Sequence, residues 1–308
     1  MKTKKLVIGC LAVLLGMAFT GCSKSDDNDS STLETPTYES VSGLYNIQGS
    51  STYSSIELGA SGNYIITGSN LTRSAARVTN NSSASHKGFL YASKNNNLTR
   101  SANVSNNGFI YGTFTVNSDG TINLKGYGTL KITYGSNGTT VTNMTLTPTG
   151  KSAVTLNATK ADSYSNSDMT NNLCRTWNMA SYAEKEYGEG KLEVDIEGTF
   201  DVTAQKWSWN VKTASRDFDE SDYIFSQVLF SKSGTYLVYY TNGTAMLANW
   251  KWKDESAGTF YYKEVGDADY DEDSWATASF SGSKLTISEK YEDGNDSENS
   301  VSVMKAAN

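Results

Sequence analysis

The side chains best suited to ligand contact are two pairs of tryptophans. Trp207 and Trp209 are two residues apart on a predicted strand, as are Trp250 and Trp252, so each pair projects from one face of its sheet. Such a pair offers an aromatic platform for a sugar ring or for an apolar ligand at the mouth of a barrel. Alternatively, the side chains fill a small barrel, which must be packed where it is not hollow. Trp209 and Trp252 are the predicted ligand contacts because they lie toward the strand ends.

A basic segment is the second candidate for binding. No acidic residue lies between Glu57 and Asp119, whereas three arginines do, namely Arg73, Arg77 and Arg100. These arginines are candidate contacts for a polyanion such as lipopolysaccharide or an acidic glycan. The same charges could equally face the acidic second half of the chain or be solvated. The formal charge of the whole chain is −7, which argues against nucleic acid as a partner.

Catalytic and metal-binding patterns are weak. His86 is the only histidine, so a Ser-His-Asp triad or a histidine zinc site has little to build on. Acidic runs at 217–222 and 267–273 lack the glycine and distant glutamate of a calcium-binding hand, so we predict acidic surface loops and no metal site. Cys174 is predicted to be a small buried residue in an apolar strand. A glycosidase carboxylate pair stays open, because it needs no fixed sequence spacing; otherwise we predict no catalytic residue, no cofactor and no enzyme.

The first thirty residues predict export and lipid attachment. Three lysines precede an apolar run from Leu6 to Phe19, followed by Thr-Gly-Cys22 and an acidic polar stretch. We predict a signal peptide over 1–21, acylation of Cys22 and a flexible acidic tether over 22–40. Phe19–Cys22 resembles the lipobox of bacterial lipoproteins, and the acidic residues after Cys22 resemble the export tag of Bacteroidetes surface lipoproteins. The resemblance implies a membrane partner, through the lipid, and a position on the cell surface at the outer membrane.

Alternating apolar residues predict an all-β fold. Apolar positions recur at period two far more often than at 3.6. Three hairpins of the first half recur in order in the second, among them Ile56–Tyr64 and Val228–Tyr236, each with a Ser-Gly turn. We predict a first β domain over 41–160, a linker over 161–172 and a second β domain over 173–308. About eight short antiparallel strands in each predict two β-barrels, with a β-sandwich as the alternative.

The first domain carries a polar insertion over 69–107 with an internal repeat. Asn70–Ala75 recurs at Asn97–Ala102, and related segments follow at Gly88–Tyr91 and Gly108–Tyr111. We interpret both related segments as strands, in a strand-and-loop element that stands off the barrel.

The second half resembles the lipocalin-like, calycin-type domains of Bacteroidetes lipoproteins. It has their opening Leu-x-x-x-Trp strand at Leu173–Trp177, a phenylalanine strand that runs into a Gly-Thr-Tyr turn at Phe230–Tyr236, and a strand that contains Trp250. The likeness is fainter over 41–160. The resemblance implies a barrel fold and carries over no catalytic residues.

The leading hypothesis is non-enzymatic binding of a small apolar or sugar-like ligand by the second domain. The alternative is a packed-core interaction protein, which would meet an envelope or host partner through the 69–107 insertion and a 190–212 hairpin. A third hypothesis, a glycan hydrolase, requires a pair of acids about 5–10 Å apart in a cleft.

Overall fold

The computed structural model describes residues 36–69, 71, 88–90, 107–162, 165–215, 219–220, 223–243, 245–265, 269–273 and 275–307. The elements in these ranges are strands, except for two short helices, α1 (Tyr38–Val41) and α2 (Asp168–Leu173). None of the described helices has the length and hydropathy needed to cross a membrane. The signal peptide, Cys22, His86, the three candidate arginines and parts of both acidic runs lie outside the described residues, so their predicted roles stay predictions.

The first eight strands form a closed antiparallel barrel. They are β1 (Gly43–Gln48), β2 (Tyr53–Leu58), β3 (Asn63–Ser69), β4 (Asn107–Val116), β5 (Thr121–Leu124), β6 (Gly128–Tyr134), β7 (Val141–Pro148) and β8 (Val154–Lys160). Each strand pairs with the next, and β1 also pairs with β8. Buried side chains such as Tyr45, Ile56 and Leu146 fill this barrel.

The other ten strands build a second barrel and an added hairpin. They are β9 (Thr176–Gly188), β10 (Lys191–Asp201), β11 (Lys206–Ala214), β12 (Phe225–Phe230), β13 (Thr235–Tyr240), β14 (Ala245–Asp254), β15 (Thr259–Glu264), β16 (Trp275–Ser281), β17 (Lys284–Asp293) and β18 (Asp296–Ala306). Strands β12 to β18 pair in order, and β9 pairs with both β12 and β18 to close eight strands. The second half of β9 also pairs with β10, so the β10–β11 hairpin extends the sheet. The predicted barrel fold is confirmed, and the sandwich alternative is wrong.

Turn chemistry and alternation explain the hairpins. Gly62 and Gly234, in the predicted Ser-Gly turns, join β2 to β3 and β12 to β13 with φ of 80° and 82°, a region that glycine enters without steric penalty. In β17, Leu285 and Ile287 are buried while the residues between and after them are more exposed, as expected for a strand with one dry face.

The outer faces of the two barrels pack against each other. Ile65 of β3 lies in one buried apolar cluster with Leu229 of β12 and Leu237 of β13. Tyr111 of β4 reaches the same face, where its ring centroid is 5.2 Å from that of Tyr239. The described residues from 36 onward form one compact unit.

Three local predictions differ from the structure. Gly88–Leu90 is not a strand standing off the first barrel; it has turn conformation, and Phe89 and Leu90 are buried in the second barrel. Cys174 is half-buried at the end of α2 and not in a strand. The helix forms there because Ser167 caps it, accepting a hydrogen bond from the Thr170 N–H. Helix α1 begins within the range predicted as tether, where Thr37 and Ser40 form a capping box.

Candidate binding site in the second barrel

The interior of the second barrel holds Phe89 and Leu90, which belong to the insertion of the first. Both side chains are completely buried in the core of the second barrel. The Phe89 ring meets Phe260 edge-on at a centroid distance of 6.3 Å and lies 6.3 Å from Tyr262 and 6.5 Å from Tyr236. Such aromatic contacts add to the free energy gained by burying the ring. The barrel therefore surrounds an apolar group that is not part of its wall.

Side chains of the barrel wall also bind the backbone of this segment. The hydroxyl of Tyr236 donates to the Phe89 carbonyl at 3.0 Å, and that of Tyr240 donates to the Leu90 carbonyl at 3.1 Å. The Phe89 N–H donates to Glu289 Oε1 at 2.9 Å. A buried peptide group left without such partners would be costly. The wall thus recognises both the apolar side chains and the peptide groups between them.

Glu289 organises the polar part of this contact. Its Oε1 accepts a second hydrogen bond, from the Tyr262 hydroxyl at 2.6 Å, and its Oε2 accepts one from Ser300 at 3.3 Å. Burial first, and the nearby Glu289 second, raise the pKa of Tyr236 and of Tyr262 well above the usual tyrosine value of 10.0. Both hydroxyls therefore stay protonated and act as donors at neutral pH.

Trp209 packs on the added hairpin. Its ring stacks on Trp207 at a centroid distance of 4.8 Å. It also lies across Gly198, where a Cβ atom would be 2.5 Å from the ring. Trp207 in turn is fixed by a hydrogen bond from its Nε1 to the Phe225 carbonyl. The two rings do share one face of the hairpin, as the spacing predicts.

Trp252 lies near α2. Its Nε1 donates to Thr170 Oγ1 at 2.9 Å, and its ring meets Trp250 edge-on at 5.1 Å. Phe260 contacts Trp252 as well as Phe89, so this tryptophan adjoins the aromatic lining of the site. The roles of Trp209 and Trp252 as ligand contacts stay predictions.

A cluster of acids lies at the inner face of β9 and β18. Carboxyl oxygens of Glu184, Glu186 and Glu298 lie within 4.8 Å of one another, and all three residues are buried. Glu186 pairs with Glu298 across the strands, and the Tyr182 hydroxyl donates to Glu184 Oε2 at 2.5 Å. Oxygen atoms in this arrangement could hold a divalent cation. Their burial differs from the cleft predicted for a glycan hydrolase.

Comparisons with known proteins place the chain in no family. No protein-family model matches it, and neither does any curated protein. Isotype 1 transferrin-binding protein B from serogroup B Neisseria meningitidis aligns with 61% of this chain and 35% of its own, at 13% identity and a TM-score of 0.18. A protein of unknown function from the DUF3598 family of Nostoc punctiforme aligns over 88% and 97%, at 6% identity and a TM-score of 0.15.

These similarities are too weak to transfer a fold or a function. The chain spans about a third of the length of the transferrin-binding protein that it matches. The architecture therefore rests on the strand pairing of this chain itself.

Sequence reasoning missed the residues that hold the Gly88–Leu90 segment. Tyr236, Tyr240 and Glu289 lie on inward positions of their strands, where a hydroxyl or carboxyl needs a partner. That pattern was the available signal, since polar atoms facing a barrel interior indicate a polar occupant. The identity of the occupant was hidden, because it lies about 150 to 200 residues away in the chain.

Proposed function

We propose that this protein is a non-enzymatic binding protein, attached by lipid at Cys22 to the outer face of the outer membrane, whose second barrel takes a small apolar ligand. One observation carries the proposal: the barrel accommodates Phe89 and Leu90, a phenyl ring and a branched aliphatic chain that no strand of the barrel supplies. In chemical terms, the Gly88–Leu90 segment is a ligand carried by the same chain.

The chemistry of the site defines the class of ligand. Apolar walls favour an aromatic or aliphatic group. Tyr236 and Tyr240 donate hydrogen bonds to carbonyl oxygens, and Glu289 accepts one from an N–H. A small apolar molecule with an amide, or a short peptide with an aromatic side chain, meets all of these groups. Its binding would require displacement of the chain's own segment.

Amide hydrogen exchange on the full chain tests whether the segment is displaceable. We expect the Phe89 amide, which donates to Glu289, to exchange at least about tenfold faster than the amides of Tyr236 and Trp250 in the barrel wall, because the segment opens without unfolding the barrel. Exchange of all three amides at one rate would mean that Phe89 is ordinary core, and would overturn the proposal.

A binding measurement gives the second test. The peptide N-acetyl-Gly-Phe-Leu-amide is titrated calorimetrically into the full chain and into the double variant Phe89→Gly/Leu90→Gly. We expect the variant to bind and the natural chain to bind at least about tenfold more weakly, because its site is occupied. Phe109→Ala is the matched control: Phe109 belongs to the related Gly108–Tyr111 segment but packs between the barrels. Equal binding by all three proteins would contradict the proposal.

The interaction-protein hypothesis is the second candidate, and it is favoured by the same filling of the barrel. If Phe89 exchanges only with global unfolding, both barrels are packed cores. Binding to an envelope or host partner would then fall to the insertion and the β10–β11 hairpin.

The lipid anchor has its own test. Cys22→Ser should abolish the incorporation of radiolabelled palmitate and release the protein from the membrane fraction, because the acyl chain is lost. Cys174→Ser is the control, since Cys174 is half-buried beside α2, and it should leave labelling unchanged. Labelling that survives Cys22→Ser would contradict the anchor.

A further inference from the structure

A cavity lies between the two barrels, away from the interior of either. Its volume is about 420 Å³, within the range of small-molecule sites. One wall comes from β2 and the turn that follows it, and the other comes from the turn between β12 and β13. Ile65 and Leu229, which pack between the barrels, supply buried apolar surface to it.

Glu57 is the buried acid of this cavity. It points outward from the first barrel and is only 4% exposed. Hydroxyls of the second barrel, from Ser231, Ser233 and Thr235, hydrogen-bond its carboxyl group, yet burial raises the pKa of Glu57 above its usual value. Its Oε1 atom has no hydrogen-bond partner among the described residues. Neighbouring atoms cover Oε1, but Glu57 lines the cavity. A buried acceptor of this kind requires a donor, and a ligand hydroxyl at this edge of the cavity can supply one.

Two lysines line the same cavity. The side chain of Lys160 passes over Gly43, where a Cβ atom would be 2.5 Å from the lysine Cε, so a larger residue at position 43 would displace it. Lys232 donates to Asn166 Oδ1 at 3.2 Å. Glu39, an exposed residue, is the other acid in the lining. The lining therefore includes two cations and one deep acceptor, with the Lys160 ammonium resting 5.7 Å from the centroid of the Tyr45 ring.

We propose that this cavity binds a sugar acid of monosaccharide size, with a ligand hydroxyl donating to Glu57 and the ligand carboxylate paired with Lys160 and Lys232. A neutral sugar would supply no anion to either lysine. An amine would bring a third cation beside them. Serine hydroxyls and asparagine amides complete a lining suited to a polyol. This site is separate from the interior of the second barrel, so its failure and that of the proposed function are distinguishable.

Three sugars that share the same ring but differ in charge test the assignment on the full chain: D-glucuronate, D-glucose and D-glucosamine. Each is titrated up to about 10 mM, and binding is followed by saturation-transfer NMR. We expect glucuronate to bind at least about tenfold more tightly than the other two. Tighter binding of glucosamine, or equal binding of glucose, would overturn the assignment of charge. No binding of any probe would mean that the cavity holds water only, and would overturn the site.

Variants then separate a ligand contact from a structural role. Glu57→Leu removes the buried acceptor, and Lys232→Met removes a cation. Each should lower the affinity for glucuronate at least about tenfold. Glu57→Gln keeps one oxygen and should retain most of the binding. Lys151→Met, at the exposed turn between β7 and β8, is the matched control and should have no effect. Unchanged affinity in both Glu57→Leu and Lys232→Met would refute the proposal.

Discussion

Truncation of Phe89 tests whether the Gly88–Leu90 segment docks in the second barrel as a unit. Burial of Phe89 and Leu90 contributes roughly 1.5–3 kcal/mol each, and each of the three hydrogen bonds contributes roughly 0.5–1.5 kcal/mol. Fixing the backbone of three residues opposes docking by roughly 1–2 kcal/mol each. The difference leaves about 3 kcal/mol in favour of docking. Truncation of a buried phenylalanine to alanine costs roughly 3–5 kcal/mol, so Phe89→Ala removes at least as much as favours docking and the segment should be released.

A double-mutant cycle makes this release measurable. Tyr236→Phe removes the donor to the Phe89 carbonyl, and in the natural chain it should lower the free energy of unfolding by about 1–2 kcal/mol. In the Phe89→Ala background the carbonyl of residue 89 has left the barrel. Tyr236→Phe should then lower the free energy of unfolding by less than about 0.5 kcal/mol. The assay is urea unfolding followed by tryptophan fluorescence, with linear extrapolation to water.

A control cycle decides between docking and simple packing. Phe109 packs in a different cluster from Tyr236, so Phe109→Ala and Tyr236→Phe should be additive within about 0.5 kcal/mol. If Phe89→Ala and Tyr236→Phe were also additive, the backbone of the segment would still be docked without its ring. The reasoning that the three residues dock as a unit would then be wrong.

Three further predictions concern single sites. Burial raises the pKa of Glu57 in the folded protein; its protonated form therefore favours folding, and this stability is lost as pH rises from the usual value of 4.5 through the raised value. Unfolding free energies of the natural chain and Glu57→Gln should diverge over that window, and parallel pH profiles would contradict it. Burial raises the pKa of Cys174 to about 12, so maleimide should react far more slowly with the folded chain than with the chain in denaturant; equal rates would contradict a shielded thiol. Gly198→Ala would place a Cβ atom 2.5 Å from the Trp209 ring and should lower the unfolding free energy by about 1–3 kcal/mol. Gly135→Ala, with no contact closer than 3.4 Å, should change it by less than about 0.5 kcal/mol, and equal losses would be inconsistent with the packing.

Much of the fold follows from local sequence. The Ser-Gly turns at Gly62 and Gly234 and the alternation in β17 are set by residues close together in the chain. Closure of the sheets follows from the need to pair the backbone N–H and C=O groups that an edge strand would leave exposed. The added hairpin after β9 was likewise predicted, over 190–212, and it contains Trp207 and Trp209.

The occupant of the second barrel could not be predicted in this way. Gly88–Tyr91 and Gly108–Tyr111 have nearly the same sequence, yet the second lies in β4, paired with β3, and the described part of the first is a turn. Phe89 and Leu90 are both buried although they are adjacent, which a strand with one dry face does not allow. The difference comes from contacts with residues of the second barrel, which lie far away in the chain. Local propensity does not depend on those residues and so cannot predict it.

Enclosure of Gly88–Leu90 has a consequence for how the chain acquires its structure. Tyr236 and Glu289 meet Phe89 across separations of 147 and 200 residues, so the second barrel completes its interior with a segment synthesised well before it. Contacts of such long range slow folding. The C-terminal half, made alone, would lack two completely buried core side chains. The interior of the second barrel is therefore complete only when this part of the first has docked in it.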